Sequence, residues 1–185
     1  LKKLINKMCS SIFYINPIKL NEYYEIAEYL LRDYNANPND TDLLSKLAYK
    51  MDFVFLELLR KYGGDFNNIL FISPEMLAEK YVVLIDFMIK NGVDINNIYA
   101  KCNSYQYFSL DKVQIIIDAF MNCKSEMVKE LLKRGSIITT EMIEKHHIYN
   151  RVCIEGKADL LNILLSYKPK IEDIGYNLYR LFENY

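Results

Sequence analysis

The pattern of Cys123-Lys-Ser-Glu-Met-Val-Lys-Glu-Leu-Leu-Lys-Arg-Gly135 returns further along the chain and is the strongest indication of how the protein folds. At an offset of 33 residues, the segment Gly156-Lys-Ala-Asp-Leu-Leu-Asn-Ile-Leu-Leu-Ser-Tyr-Lys168 follows it position by position. An acidic residue falls on an acidic residue, and the Leu-Leu pair 131/132 falls on the pair 164/165. A repeat of this length predicts that each copy is one supersecondary unit packed against the next.

The repeat resembles the ankyrin family, whose units of about 33 residues contain a β-turn and two helices. The family's second helix reads Gly-His-x-Glu-Ile-Val-x-Leu-Leu-Leu-x-x-Gly-Ala-Asp-Val-Asn, and Gly156 to Leu165 follows its first half. Its second half is present in Gly63-Gly-Asp-Phe-Asn67 and Gly92-Val-Asp-Ile-Asn96. The resemblance implies an all-α fold: a short α-solenoid of stacked helix-turn-helix repeats with degenerate β-hairpin fingers.

Turn residues divide the chain, which we predict to be a single domain over residues 1–185. Residues 1–20 are expected to form an N-terminal helix and cap, and residues 173–185 a C-terminal cap that shields the last apolar face. Between the caps we expect five repeats, at 21–40, 41–72, 73–111, 112–139 and 140–172.

Several elements follow from local patterns within these repeats. We predict a helix over 21–34, a helix pair at 42–50 and 52–62 and a hairpin finger at 65–71, and the repeat register is expected to resume at 112–122. A Leu-Leu pair anchors each unit, and its second residue falls at 31, 59, 89, 132 and 165, with Ile89 in place of leucine.

The step from 89 to 132 exceeds the family period by about ten residues, which predicts an insertion. The inserted stretch holds Tyr99, Tyr105, Tyr107 and Phe108. Two interpretations remain open. Exposed aromatic rings would suit a protein-binding hot spot, whereas rings folded inward would fill the gap left by the irregular spacing.

The charge and composition of the whole chain limit the class of partner. With 23 basic and 24 acidic residues the net charge is -1, so no global field attracts the chain to nucleic acid or to an anionic membrane. No apolar run reaches the roughly 18 residues of a membrane span. The four cysteines lack a C-x-x-C spacing, which favours reduced thiols and a cytoplasmic location.

Residues that could carry chemistry are few. His146 and Cys153 share a helical face, but seven residues correspond to about 10 Å of helix rise, which is too far for a nucleophile and its base. The adjacent His147 points to a different face. No phosphate loop, nucleophile elbow or metal-binding motif is present. We therefore expect no catalytic residue, no metal and no cofactor.

The expected function is recognition of another protein, without enzymatic activity. Chains of this kind, rich in Ile, Asn, Lys and Tyr, resemble divergent ankyrin proteins of large DNA viruses and intracellular bacteria, which often engage host proteins. The alternative is a structural component that packs in a larger assembly or homo-oligomer. From the finger positions and the insertion, the predicted contact residues are Asn67, Asn68, Ile69, Asn96, Asn97, Tyr99, Tyr105, Tyr107 and Phe108.

Overall fold

The computed structural model describes residues 17–71, 74–101 and 112–167. This part of the chain is mostly helical and contains a small three-stranded sheet. The all-α expectation is therefore confirmed in its broad form. The predicted C-terminal cap, most of the N-terminal cap and the residues Tyr105, Tyr107 and Phe108 lie outside the described residues.

The elements alternate between helices and short strands. The α-helices are α1 (Pro17–Asp33), α2 (Thr41–Lys50), α3 (Phe53–Lys61), α4 (Val82–Lys90), α5 (Ile115–Met121), α6 (Ser125–Lys133), α7 (Thr140–Lys145), α8 (Ile148–Ile154) and α9 (Ala158–Leu165). The strands are β1 (Leu70–Phe71), β2 (Tyr99–Lys101) and β3 (Lys112–Gln114), and short 3-10 helices cover Phe66–Asn68, Pro74–Leu77, Glu79–Tyr81 and Ile95–Asn97.

Three helix pairs, α2–α3, α5–α6 and α8–α9, turn at a residue with left-handed backbone. These residues are Met51 (φ 55°), Cys123 (φ 51°) and Gly156 (φ 61°). Each turn is closed by a bond between residues five apart, for example from Lys124 N to Ala119 O at 2.9 Å and from Lys157 N to Val152 O at 3.1 Å. This is the Schellman pattern of helix ends. The equivalence of Cys123 and Gly156, inferred from the 33-residue offset, is confirmed by the backbone.

Aspartate side chains start the first complete pair where the sequence predicted helices. Asp40 accepts a bond from Leu43 N at 3.0 Å, and Asp52 accepts one from Phe55 N at 3.1 Å. Both bonds satisfy backbone donors of a first helical turn. By contrast, α1 begins at Pro17, four residues before the predicted start, because proline is tolerated in a first turn.

Each second helix (α1, α3, α4, α6 and α9) buries one residue of its anchor pair. Met88 is fully buried whereas Ile89 is 36% exposed, and Leu164 is fully buried whereas Leu165 is 42% exposed. The buried member of the pair is therefore the first residue at 88, 131 and 164 and the second residue at 31 and 59. The anchors observed are Leu31, Leu59, Met88, Leu131 and Leu164. The first four each lie four residues before a left-handed residue: Asn35, Gly63, Gly92 and Gly135.

Second helices of successive units lie side by side. Lys61 Nζ is 2.6 Å from Glu28 Oε1 between α3 and α1, and Arg134 Nε is 2.6 Å from Asp86 Oδ1 between α6 and α4. First helices also meet, because Arg151 Nε of α8 donates to Met121 O of α5 at 3.1 Å. One continuous apolar cluster runs from α1 to α9.

The sheet joins loops from different units. β1 pairs with β2 in parallel, with Leu70 opposite Tyr99, and β2 pairs with β3 in antiparallel, with Lys101 opposite Lys112. The predicted finger at 65–71 is not a hairpin by itself: it is a 3-10 turn followed by β1, whose strand neighbour comes from the next unit. In the segment 112–122, where the repeat register was expected to resume, the chain first forms β3 and then α5.

Two units depart from the pair pattern. The third has the two short 3-10 helices of residues 74–81 in place of a first helix. The last carries the additional helix α7 before α8, and His147, with φ 50°, separates the two helices.

Among the described helices, none is both long and apolar enough to cross a bilayer.

Candidate binding surface

The loops that follow the second helices lie along one edge of the molecule. We call this surface the loop edge and define it as residues 37–40, 63–71, 92–101, 112–114 and 135–139. It contains the whole three-stranded sheet. Hydrogen bonds connect each loop with at least one other, so the loop edge forms one continuous surface.

The first connection is made by Asn39. Its Oδ1 accepts from Asp65 N at 2.6 Å, and its Nδ2 donates to Gly63 O at 3.1 Å. One amide side chain therefore binds the next loop twice. Because amide groups pair with backbone donors and acceptors at the same time, this bond pair fixes both the position and the direction of that loop.

The next two loops repeat one local structure. Asp65 accepts from Asn67 N, and Asp94 accepts from Asn96 N, both at 2.9 Å. In each loop a 3-10 turn follows and leads into a strand. These aspartate turns occur at an offset of 29 residues and bring β1 beside β2.

Asn96 connects the second of these loops with both of its later neighbours. Its Oδ1 accepts from Ile137 N at 2.8 Å, and its backbone carbonyl accepts from Gln114 Nε2 at 2.9 Å. Residues 135–139 form no strand, so the side chain of Asn96 replaces a strand pairing at this point of the loop edge.

The predicted contact residues have different environments. Asn67 and Asn97 are exposed, whereas Asn68, Asn96 and Tyr99 are half-buried. Ile69 is 1% exposed and belongs to the core. Asn67 and Asn97 are thus accessible at the surface, Asn96 connects neighbouring loops, and Ile69 is buried in the core.

A groove opens where the sheet ends at β3. It has a volume of about 460 Å³ and lies between β3 and the segment 139–146. Tyr99, Val113, Ile117 and Met142 supply apolar walls, and the charged lining residues are Lys112, Glu141 and Lys145. Lys112 Nζ lies 4.6 Å from the centre of the Tyr99 ring, within the range of a cation–π contact.

Of the groove residues, the sequence pointed to Tyr99 as a contact residue and considered His146 for chemistry. Lys112 and Lys145 were missed, because 33 positions separate them and a surface lysine has no pattern of its own. A second groove, of about 620 Å³, lies between Leu77–Lys80 and Cys123–Met127, beside the shortened third unit.

The residues considered for chemistry lie in apolar surroundings. Burial lowers the pKa of His146 and raises the pKa of the Cys153 thiol. Both shifts favour uncharged side chains, and a neutral thiol is a weak nucleophile. Within residues 17–71, 74–101 and 112–167, no three His, Cys, Asp or Glu side chains are grouped so that they could hold a metal ion.

No protein-family model matches the chain, and searches of curated proteins and of solved structures found no match either.

Proposed function

We propose that this chain is an ankyrin-like α-solenoid that acts as a non-enzymatic protein-interaction module. The repeating helix pairs with their left-handed turns support the fold, and the loop edge supports the function. A set of loops held by side-chain hydrogen bonds is preorganised, and preorganisation lowers the entropy cost of binding. The partner is a protein, and the host proteins of a virus or intracellular bacterium are the proposed class.

One observation carries the proposal: exposed Asn67 and Asn97 stand on neighbouring loops whose backbones are fixed by aspartate turns and strand pairing. Neither side chain serves the core. A partner that spans the loop edge would contact both, together with half-buried Asn68 and Tyr99.

The test is capture of partners by the immobilised chain. The double substitution Asn67→Arg with Asn97→Arg places two bulky charges on the loop edge and should abolish capture of the specific partner. The matched control is Glu57→Arg, which puts the same side chain at an exposed position of α3. If both variants, checked for equal stability, capture the same proteins as the unmodified chain, the loop edge is not the interaction surface.

A second candidate, an assembly component, is favoured by two exposed valines. Val54 at the start of α3 is 61% exposed and Val83 at the start of α4 is 58% exposed. These helices are neighbours, since the rings of Phe53 and Phe87 lie 4.8 Å apart. Light scattering during size-exclusion chromatography at several concentrations separates the candidates: an ordered oligomer that Val54→Ser and Val83→Ser dissociate would favour assembly.

A further inference from the structure

The strand β3 has one paired side and one open side. Its order in the sheet, β1-β2-β3, makes it an edge strand within the described residues. The bond from Ile115 N to Ile98 O, at 2.9 Å, shows which residues of β3 direct their backbone N–H and C=O groups toward β2. In an antiparallel ladder, hydrogen-bonded pairs alternate with pairs that exchange no bond, so Val113 pairs with Ala100 while Lys112 and Gln114 direct their backbone groups outward.

The outward groups form a pattern that an added strand can use. They are the N–H and C=O of Lys112 and the N–H of Gln114, and no backbone bond from them to another described residue is present. The carbonyl of Gln114 is directed into the first turn of α5. Two donors and one acceptor at alternating residues match the requirement for one more strand.

The groove beyond this edge is open enough for an extended chain. It has β3 on one side and the segment 139–146 on the other. Lys112, Val113 and Gln114 all line the groove, and buried Val113 alternates with exposed Lys112 and half-buried Gln114 along β3. Ile117 and Met142 add apolar lining. An added strand would place alternate side chains on these two faces, since successive residues of a strand point in opposite directions.

The positive charge of the lysines at this edge favours an acidic partner. Lys101 lies directly opposite Lys112 in the ladder, and like charges at such positions destabilise a pair of strands. In the groove itself, Lys112 and Lys145 are the two lining lysines, and Glu141 is the single lining carboxylate. Among the described residues, no carboxylate forms an ion pair with Lys112 or Lys145. An acidic segment would offset this repulsion.

We infer that the β3 edge binds an extended protein segment in which acidic and apolar residues alternate, as a fourth strand of the sheet. This inference rests on the proposed interaction function and names its binding mode. The acidic side chains lie beside Lys112 and Lys145, and the apolar ones against Val113 and Met142.

Gln114 offers a matched pair of variants. Its φ of -58° suits proline, and its N–H points outward, so Gln114→Pro removes an edge donor without breaking a bond of the sheet. The bond from Nε2 to Asn96 O is lost as well. Gln114→Ala loses the same side-chain bond but keeps the N–H, so the difference between the two variants reports on the edge donor alone.

The probe is a short acetylated peptide of alternating glutamate and valine, with binding to the full chain followed by fluorescence anisotropy. Gln114→Ala should bind like the unmodified chain, and Gln114→Pro should bind about tenfold more weakly, as expected for one lost hydrogen bond and one carbonyl left unpaired. Lys112→Glu should weaken binding to a similar degree, and Lys157→Glu, in the turn between α8 and α9, should not. Amide exchange at Lys112 and Gln114 should slow when peptide is added.

Several results would overturn the inference: no saturable binding, equal affinity of the Pro and Ala variants, or equal binding of a peptide with lysine in place of glutamate. A thymidine oligonucleotide that bound as tightly and was insensitive to Gln114→Pro would show a charge site for phosphate instead. A dimer that Gln114→Pro dissociated would show that a second copy occupies the edge. None of these results decides the outcome of the experiment with the Asn67 and Asn97 variants, which tests the proposed function separately.

Discussion

The side chain of Asn96 accepts a hydrogen bond from the backbone N–H of Ile137, 41 positions later in the chain, with 2.8 Å between the two atoms. It connects the loop after α4 with the loop after α6. No regular secondary structure joins these two loops, so one side chain sets their spacing. This bond, rather than the local backbone, holds the two loops together at this point.

Asn96→Ala should therefore lower stability. The substitution removes the acceptor of Ile137 N–H as well as the bond to Asp94, and we expect a loss of about 1–2 kcal/mol in the free energy of unfolding. Urea denaturation measures it. Asn97→Ala is the control, because Asn97 is exposed and adjacent, and it should change the free energy by less than about 0.5 kcal/mol. Equal losses for both variants would contradict the connecting role of Asn96.

The two equivalent turn residues provide a test of backbone strain. Gly156 has φ 61°, and a Cβ added there would meet no atom within 4 Å. Gly156→Ala should thus cost only the strain of a left-handed residue, about 1–2 kcal/mol, measured by thermal or urea unfolding. Cys123→Ala leaves that strain unchanged, because Cys123 already has φ 51°, so it should cost less than about 1 kcal/mol. A larger loss at Cys123 would show that its thiol packing dominates.

Asp118 makes stability depend on pH in an unusual direction. It is 6% exposed on α5, and burial raises the pKa of its carboxyl from 3.8 to about 6, against a smaller lowering by the bond from Asn122 Nδ2. Because the folded pKa lies above the unfolded one, this group's contribution is fully present below about pH 4 and is lost as the pH rises through about 6.

Asp118→Asn should remove this dependence while keeping an Oδ1 acceptor for Asn122. Relative to the unmodified chain, the variant should gain up to about 2–3 kcal/mol in unfolding free energy between pH 4 and pH 7. Urea denaturation across that range measures the difference, in which the carboxylates common to both proteins cancel. Parallel stability curves for the two proteins would contradict the raised pKa.

Part of the fold followed from the sequence because its signals are local. The bounds of the helix pair α2–α3 were predicted to within one residue, since aspartate caps and helical spacing of leucines act within a few residues of each other. The 33-residue offset likewise marked Cys123 and Gly156 as equivalent, although their left-handed backbone favours glycine and Cys123 is not glycine.

Other features depend on contacts that no local pattern records. β3 has three residues, too few for an alternation to be recognised, and its partner strand precedes it by a long insertion. The bond between Asn96 and Ile137 and the groove lined by Lys112 and Lys145 join residues 33 or more positions apart. The helical spacing also could not separate Met88 from Ile89, because both residues are apolar and a shift of one position preserves the pattern.

The leucine pairs allow that one-residue shift to be tested in solution. Leu131 is fully buried on α6, whereas Leu132 only packs against the border of the core. Leu131→Ala should lower the free energy of unfolding by about 2–4 kcal/mol, the cost of lost burial together with a cavity, and Leu132→Ala by about 1 kcal/mol.

The same asymmetry is expected one unit later, because Leu164 is fully buried and Leu165 is 42% exposed. Four single variants measured by urea denaturation therefore form two matched comparisons, in which chemistry and helix position are equal and only burial differs. If the second leucine of each pair proved the costlier one to remove, the helices would be rotated by about 100° from the orientation described, which is the turn per residue of an α-helix. The stacking of α6 against α9 through Lys129 and Asp159, 3.5 Å apart, could not survive that rotation.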